Sequence, residues 1–207
     1  MPNYVNNSEN IVKFYMNYDM LIVGDSMELM DVYDENGNLI GLVESREEIY
    51  KKGLWHKSCH IWIENDNKEI LVQKRNPNKK TYPNLWAISV AGHVDSGETS
   101  KEAAIRELKE EVNLDIKEDE LEYLFTIKRE QPHGESFLRV FDDVYLLHRN
   151  IDVEQTKLQV EELTDIKYVY YEYLKQIFQS GDKDYVPFTE EEKRLFNYLE
   201  DRDLEII

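Results

Sequence analysis

At 207 residues, with 41% hydrophobic and 33% charged side chains, the chain is long enough for one domain with a full core and short for two. Its 43 acidic against 25 basic residues give a formal net charge of -18, which argues against nucleic acid and anionic membranes and leaves small phosphorylated ligands as partners where a cation screens the charge. The single cysteine, Cys59, excludes an intrachain disulfide and a cysteine zinc site, and no apolar run nears the ~18 residues of a membrane span, so a cytoplasmic protein is expected.

Residues 1–26 carry neither sustained alternation nor a helical stripe and read as an appended segment of unknown role, ahead of one domain over 27–207. From Met27, "MELMDVY", "DENGN" and "LIGLVES" make two apolar runs around an Asn-Gly turn, the pattern of an N-terminal β-hairpin. "REEIYKKGLW" follows as a short helix ended by Gly53. "CHIWIEN", "EILVQKR" and "WAISVAGHV" read as strands punctuated by "NDNK" and "NPNKKTYPN", with Cys59 a small core residue. After a long helix, "LEYLFTIKRE", "SFLRVFDDVYLLH" and "IKYVYY" are strands, and "EYLKQIFQSG" and "TEEEKRLFNYLEDRD" are amphipathic helices. Mixed strands with few helices predict an α+β fold.

The helix lies within "SVAGHVDSGETSKEAAIRELKEEVNL", Ser89 to Leu114. Thr99 with Glu102 forms a capping box, which starts the helix just before Lys101 and leaves Glu98 in the loop. Ala104, Ile105, Leu108 and Val112 recur at three- and four-residue spacing and predict the buried stripe. Glu107, Glu110 and Glu111 converge beside it, and three converging carboxylates repel one another unless a proton or cation intervenes. Hard oxygen donors select Mg²⁺, Mn²⁺ or Ca²⁺. Arg106 can reach back to Glu98 in a bidentate pair. The alternative on helix spacing alone is a solvated acidic face.

The full spacing is Gly92, five residues, Glu98, seven residues, Arg106-Glu107-Leu108, one residue, Glu110-Glu111, one residue, Asn113-Leu114. It resembles the Nudix box, G-x5-E-x7-R-E-U-x-E-E-x-G-U with U aliphatic. The resemblance implies the Nudix fold, a mixed β-sheet sandwiched between helices, and Mg²⁺- or Mn²⁺-dependent hydrolysis of a small diphosphate-containing substrate. It puts the metal ligands on Glu107, Glu110, Glu111 and the Ala91 carbonyl, and gives Glu98 and Arg106 the structural pair. The water-activating base falls on Glu107, with Glu135, Glu161 and Glu162 as weaker candidates. Asn113 replaces the box glycine where a left-handed residue ends the helix, a place Asn tolerates.

Within the superfamily, "WHKSCHIWIEN" and "EILVQKRNPNKKTYPNLWAISVAGHV" are similar to the Nudix-type isopentenyl-diphosphate isomerase. Its catalytic cysteine would fall on Ala91, which has no acid group, and two of its metal-binding histidines on His56 and His93. The missing thiol and intact glutamates favour hydrolysis over isomerisation, and an undecayed box argues against a non-catalytic ligand-binding module. Lys74 and Arg75 are candidate phosphate contacts, His56 and His93 candidate substrate or structural groups, and Trp86 a stacking surface or core residue. A homodimer stays open.

Overall fold

The computed structural model describes residues 28–205, so the appended segment expected over residues 1–26 lies outside the described residues. In chain order the elements are β1 (Leu29–Tyr33), β2 (Leu39–Ser45), α1 (Arg46–Lys52), β3 (Trp55–Glu64), β4 (Glu69–Arg75), β5 (Trp86–Ala87) and β6 (Val90–His93). After them come α2 (Ser100–Val112), β7 (Leu121–His133), β8 (Ser136–His148), β9 (Leu163–Tyr170), α3 (Tyr171–Ser180) and α4 (Glu190–Glu205). β1 and β2 pair antiparallel as the expected hairpin, and Gly53 ends α1 in the left-handed conformation.

β3 is the axis of the sheet. Along one edge it pairs parallel with β8 from Trp55↔Arg139 to Glu64↔His148. Its other edge meets β1 at Trp55, β6 from Ser58 to Ile61, and β4 at Ile63 and Glu64. The sheet therefore splits where β3 and β4 diverge, and the chain bridges the gap. "WAISVAGHV", expected as one strand, forms two: β5 pairs with β4 and β6 pairs with β3. Ser89 stitches the crossing, its hydroxyl donating to Leu71 O at 2.5 Å and accepting from Ile63 N at 2.9 Å.

Alternation along β3 sends Cys59, Ile61 and Ile63 to one face, where Ala103, Ala104, Leu108 and Val112 of α2 pack on them. Trp62 faces the other way, into a cluster with Leu174 and Phe178 of α3 and Phe196 and Leu199 of α4. A mixed sheet between helices results, as expected. Within α2, Ala103 takes the buried place expected of Ile105, which is half-buried.

α4 is also held by charge. Arg202 donates to both oxygens of Glu64, at 2.8 and 2.7 Å, and Glu64 is 1% exposed. Arg202→Ala would strand that carboxylate with His148 Nδ1, 3.4 Å away, in place of the bidentate guanidinium. Breaking a buried pair costs roughly 3–5 kcal/mol. Because Arg202 is itself partly exposed, we expect about 3 kcal/mol, read as a fall of roughly 6–12 °C in melting temperature.

Candidate active site

The capping box of α2 forms as expected: Thr99 Oγ1 accepts from Glu102 N, and Glu102 accepts from Thr99 N. Asn113 closes the helix at φ 52° and ψ 37°, the left-handed conformation expected of the residue in the glycine's place. Arg106 donates from Nε and Nη2 to the two oxygens of Glu98, at 2.9 and 3.0 Å, so the loop and helix are pinned by the expected bidentate pair. The same Nη2 donates to His93 O at 3.0 Å, which fastens β6 to the helix.

Glu107, Glu110 and Glu111 share one end of α2 in unequal settings. Glu111 is 3% exposed, with Gln73 Nε2 at 3.4 Å from its carboxylate. Burial raises its pKa well above the usual carboxylate range, and the charges of Glu107 and Glu162 add to the rise. Burial also raises Glu107, to about 7; Arg106 opposes the rise, and Glu110 and Glu162 add to it. Arg106 Nη1 lies 2.7 Å from Glu107 and 3.5 Å from Glu110, so the carboxylates turn towards the guanidinium. Among the described residues no three acidic, histidine or cysteine side chains are gathered closely enough to hold a cation as they lie.

Gly92 faces this cluster. A Cβ there would fall 2.1 Å from Glu107 Cδ, so the absence of a side chain makes room for the carboxylate. Glu162 arrives from the loop before β9, held by Lys79 and by Asn76 N donating to its carbonyl at 2.9 Å. Of the later-loop candidates, Glu162 reaches the cluster; Glu135 lies on the exposed turn between β7 and β8, and Glu161 is exposed.

The candidate binding residues fall on different faces. Arg75 points to the carboxylates, its charge acting on Glu111 and Glu162, and its Nε donates to Thr81 O at 3.0 Å. Lys74 is turned the other way, its Nζ 5.5 Å from the centre of the Trp86 ring. Trp86 is 8% exposed and has Lys167 Nζ 3.9 Å from its ring centre, so it is a core residue whose face is already covered. Gln73 and the partners of His93 carried no signal in the sequence, because they depend on which strands become neighbours.

His56 and His93 lie behind β6. Residues opposed in an antiparallel pair share a face, so His60↔Ala91 and Ser58↔His93 place Ala91 and His93 on the side opposite Cys59↔Gly92 and the glutamates. His93 Nδ1 is 2.8 Å from Glu28 and its Nε2 is 3.0 Å from Tyr50 Oη. Burial alone would raise Glu28; His93 and Arg46 outweigh it and lower the carboxyl to about 2. On the same face His60 contacts Glu191 at 2.7 Å. Burial works against its charge, but Glu191 and Asp142 raise its pKa to about 9. A raised histidine stabilises the fold below its unfolded value, near 6.5, and the contribution is lost as pH rises to about 9. Urea midpoints should therefore fall over that window in the wild type and fall less in His60→Gln.

The pattern of the NUDIX domain matches residues 54–190. An uncharacterised Nudix hydrolase of Clostridium acetobutylicum is 39% identical over 142 residues, 67% of this chain and 68% of that protein. Nudix hydrolase 3 of Arabidopsis thaliana is 34% identical over 84% of this chain, which spans 24% of the plant protein. An isopentenyl-diphosphate Delta-isomerase of Citrobacter koseri is 34% identical over 40% of this chain and 46% of its own. Among solved structures, DR0079 of Deinococcus radiodurans superposes with a TM-score of 0.59 at 23% identity, covering 78% of this chain and 93% of that one, a likeness of fold. No helix of the described residues is long and apolar enough to cross a membrane. With the box residues on α2 and its loop, and the domain pattern across the sheet, the chain belongs to the Nudix hydrolase family.

Proposed function

We propose that the protein hydrolyses a diphosphate linkage in a nucleoside diphosphate derivative or a similar small substrate, with Mg²⁺ or Mn²⁺ as cofactor. The observation that carries this reading is the buried Glu111 beside the half-buried Glu107, two carboxyls raised by burial and by their neighbours' charge. Although the carboxylates as they lie are turned to Arg106 and not gathered about one point, Glu107, Glu110, Glu111 and the Ala91 carbonyl are an all-oxygen donor set, the chemistry a hard divalent cation selects. Such an ion, when bound, neutralises phosphate charge and makes water more acidic.

The remaining work falls to the chain. Arg106 holds the loop through Glu98 and β6 through the His93 carbonyl, fixing α2 against the strand. Arg75, beside Glu111 and Glu162, is the cation assigned to a substrate phosphate; Lys74, turned to Trp86, is not. Glu107 is assigned the proton of the attacking water, with Glu162 as the alternative group. Without a thiol at residue 91, we favour hydrolysis over the isomerase reaction.

A panel of diphosphates that includes isopentenyl diphosphate, followed by mass spectrometry with Mg²⁺ and again after chelation, tests the reading. We expect cleavage of at least one nucleoside diphosphate derivative, abolished by chelator and restored by Mg²⁺ or Mn²⁺. Isomer without phosphate products, or cleavage indifferent to chelator, would overturn it.

A further inference from the structure

β4 and β6 both run antiparallel to β3, so they leave the crossing at Ser89 in the same direction. β6 stays with β3, from Val90↔Ile61 to His93↔Ser58, while β4 parts from it after Leu71↔Ile63 and follows β9 as far as Arg75↔Leu163. The two strands therefore form a V. Its apex is the Ser89 hydroxyl, bonded to Leu71 O and Ile63 N, and its mouth lies between His93 and Arg75. α2 lays its carboxylates across the arms: Glu107 fills the space left by Gly92 of β6, and Glu111 lies 3.4 Å from Gln73 Nε2 of β4.

Each arm carries an arginine at its open end. On the β4 arm it is Arg75 itself, anchored through Nε to Thr81 O. On the β6 arm it is Arg46: His93 Nδ1 lies 2.8 Å from one oxygen of Glu28, and the other oxygen accepts from Arg46 Nη1 at 3.0 Å. Half of the Arg46 side chain is exposed, and its guanidinium carbon lies 5.8 Å from the centre of the Tyr50 ring. Between the arms comes Glu162, held by Lys79, and its charge acts on Arg46 and on Arg75 alike. Fastening β1 to α1 does not account for Arg46, because its backbone N already donates to Glu28 O at 3.0 Å and an exposed ion pair adds little stability.

We propose that the mouth of the V receives the substrate's diphosphate and that Arg46 is a second phosphate-holding residue, gripping it from the β6 arm while Arg75 grips it from the β4 arm. The proposal rests on the hydrolase reading for its diphosphate. A guanidinium presents a fork of N–H donors to phosphate oxygens, and Glu28 occupies one side of the Arg46 fork. In a chain of net charge -18, cations at the mouth also offset the repulsion that a diphosphate meets on approach. Two cations on opposite arms fix the diphosphate's orientation beside the glutamates, where one would leave it free to pivot.

The test is equilibrium binding of methylenediphosphonate, whose P–C–P bridge is not hydrolysed, in the presence of Mg²⁺. We expect the wild type to bind it. Arg46→Gln, which can still donate to Glu28, should weaken binding about tenfold, the scale of a hydrogen bond to a charged group, and Arg46→Lys, which keeps the charge and loses the fork, should bring the loss back to about threefold. Glu28→Gln, which leaves the guanidinium and removes the charge that competes for it, should bind at least as tightly as wild type. On a diphosphate that the wild type cleaves, Arg46→Gln should raise KM by a similar factor and leave kcat within about twofold. Equal losses in Glu28→Gln and Arg46→Gln would show that Arg46 acts only through Glu28 and would overturn the proposal. So would unchanged affinity in Arg46→Gln, no recovery with Lys, a fall in kcat at unchanged KM, or a wild type that does not bind the diphosphonate. An Arg46→Gln chain that fails to fold, seen in its melting curve, would overturn it too, since so exposed a contact should carry little of the fold. Absence of turnover in wild type would defeat the hydrolase reading alone, because diphosphonate binding still decides Arg46.

Discussion

Glu110→Gln is expected to lower kcat by at least about 10²-fold at saturating Mg²⁺ while leaving the melting temperature within a degree or so of wild type. The size is that of removing one charge-stabilising group at a reacting centre. The stability half follows from exposure: the Glu110 side chain is 49% exposed and its contact with Arg106 is a long 3.5 Å, so little of the fold leans on it. Steady-state kinetics over a Mg²⁺ series, beside a thermal melt, checks both halves. If the variant kept near-normal turnover, the carboxylate cluster would not be the hydrolytic centre. A rate restored by raising Mg²⁺ would instead mark Glu110 as a contributor to affinity alone.

Gly92→Ala is expected to do comparable damage by another route. The new Cβ would meet Glu107 Cδ and Oε1 at 2.1 Å, closer than atoms approach. The obstacle is the far end of a flexible side chain, so Glu107 swings aside and the backbone keeps its place. The expected result is loss of activity of about 10²-fold or more with the fold retained, and Mg²⁺ affinity weakened in a titration. A variant that unfolds, or one that keeps activity, would contradict this account of Gly92.

Much of the fold was legible because its signals are local. Thr99 and Glu102 lie three residues apart, Asn113 and Gly53 mark helix ends by tolerating positive φ, and the three-four spacing of Ala104, Leu108 and Val112 survives as a buried stripe. The Glu98–Arg106 pair was legible too, since loop and helix are adjacent in the chain. What escaped depends on partners distant in sequence. "WAISVAGHV" has the composition of one strand, and only the divergence of β3 from β4 makes it two. Trp86 has the chemistry of a stacking surface, yet Lys167, 81 positions later, covers its ring. The chain from Tyr50 through His93 to Glu28 joins α1, β6 and the residue before β1, whose adjacency no spacing encodes.

β6 is four residues long and has two sides with different occupants. Gly92 meets the glutamates, while Ala91 and His93 look into the space beyond the sheet. A change of side chain at 91 thus meets the face of His60 and His93 and spares Glu107, whereas a change at 92 does the reverse. Because a strand alternates every residue, one point mutation can alter either side without placing a side chain on the other. That independence leaves the two faces of a four-residue strand open to separate substitution.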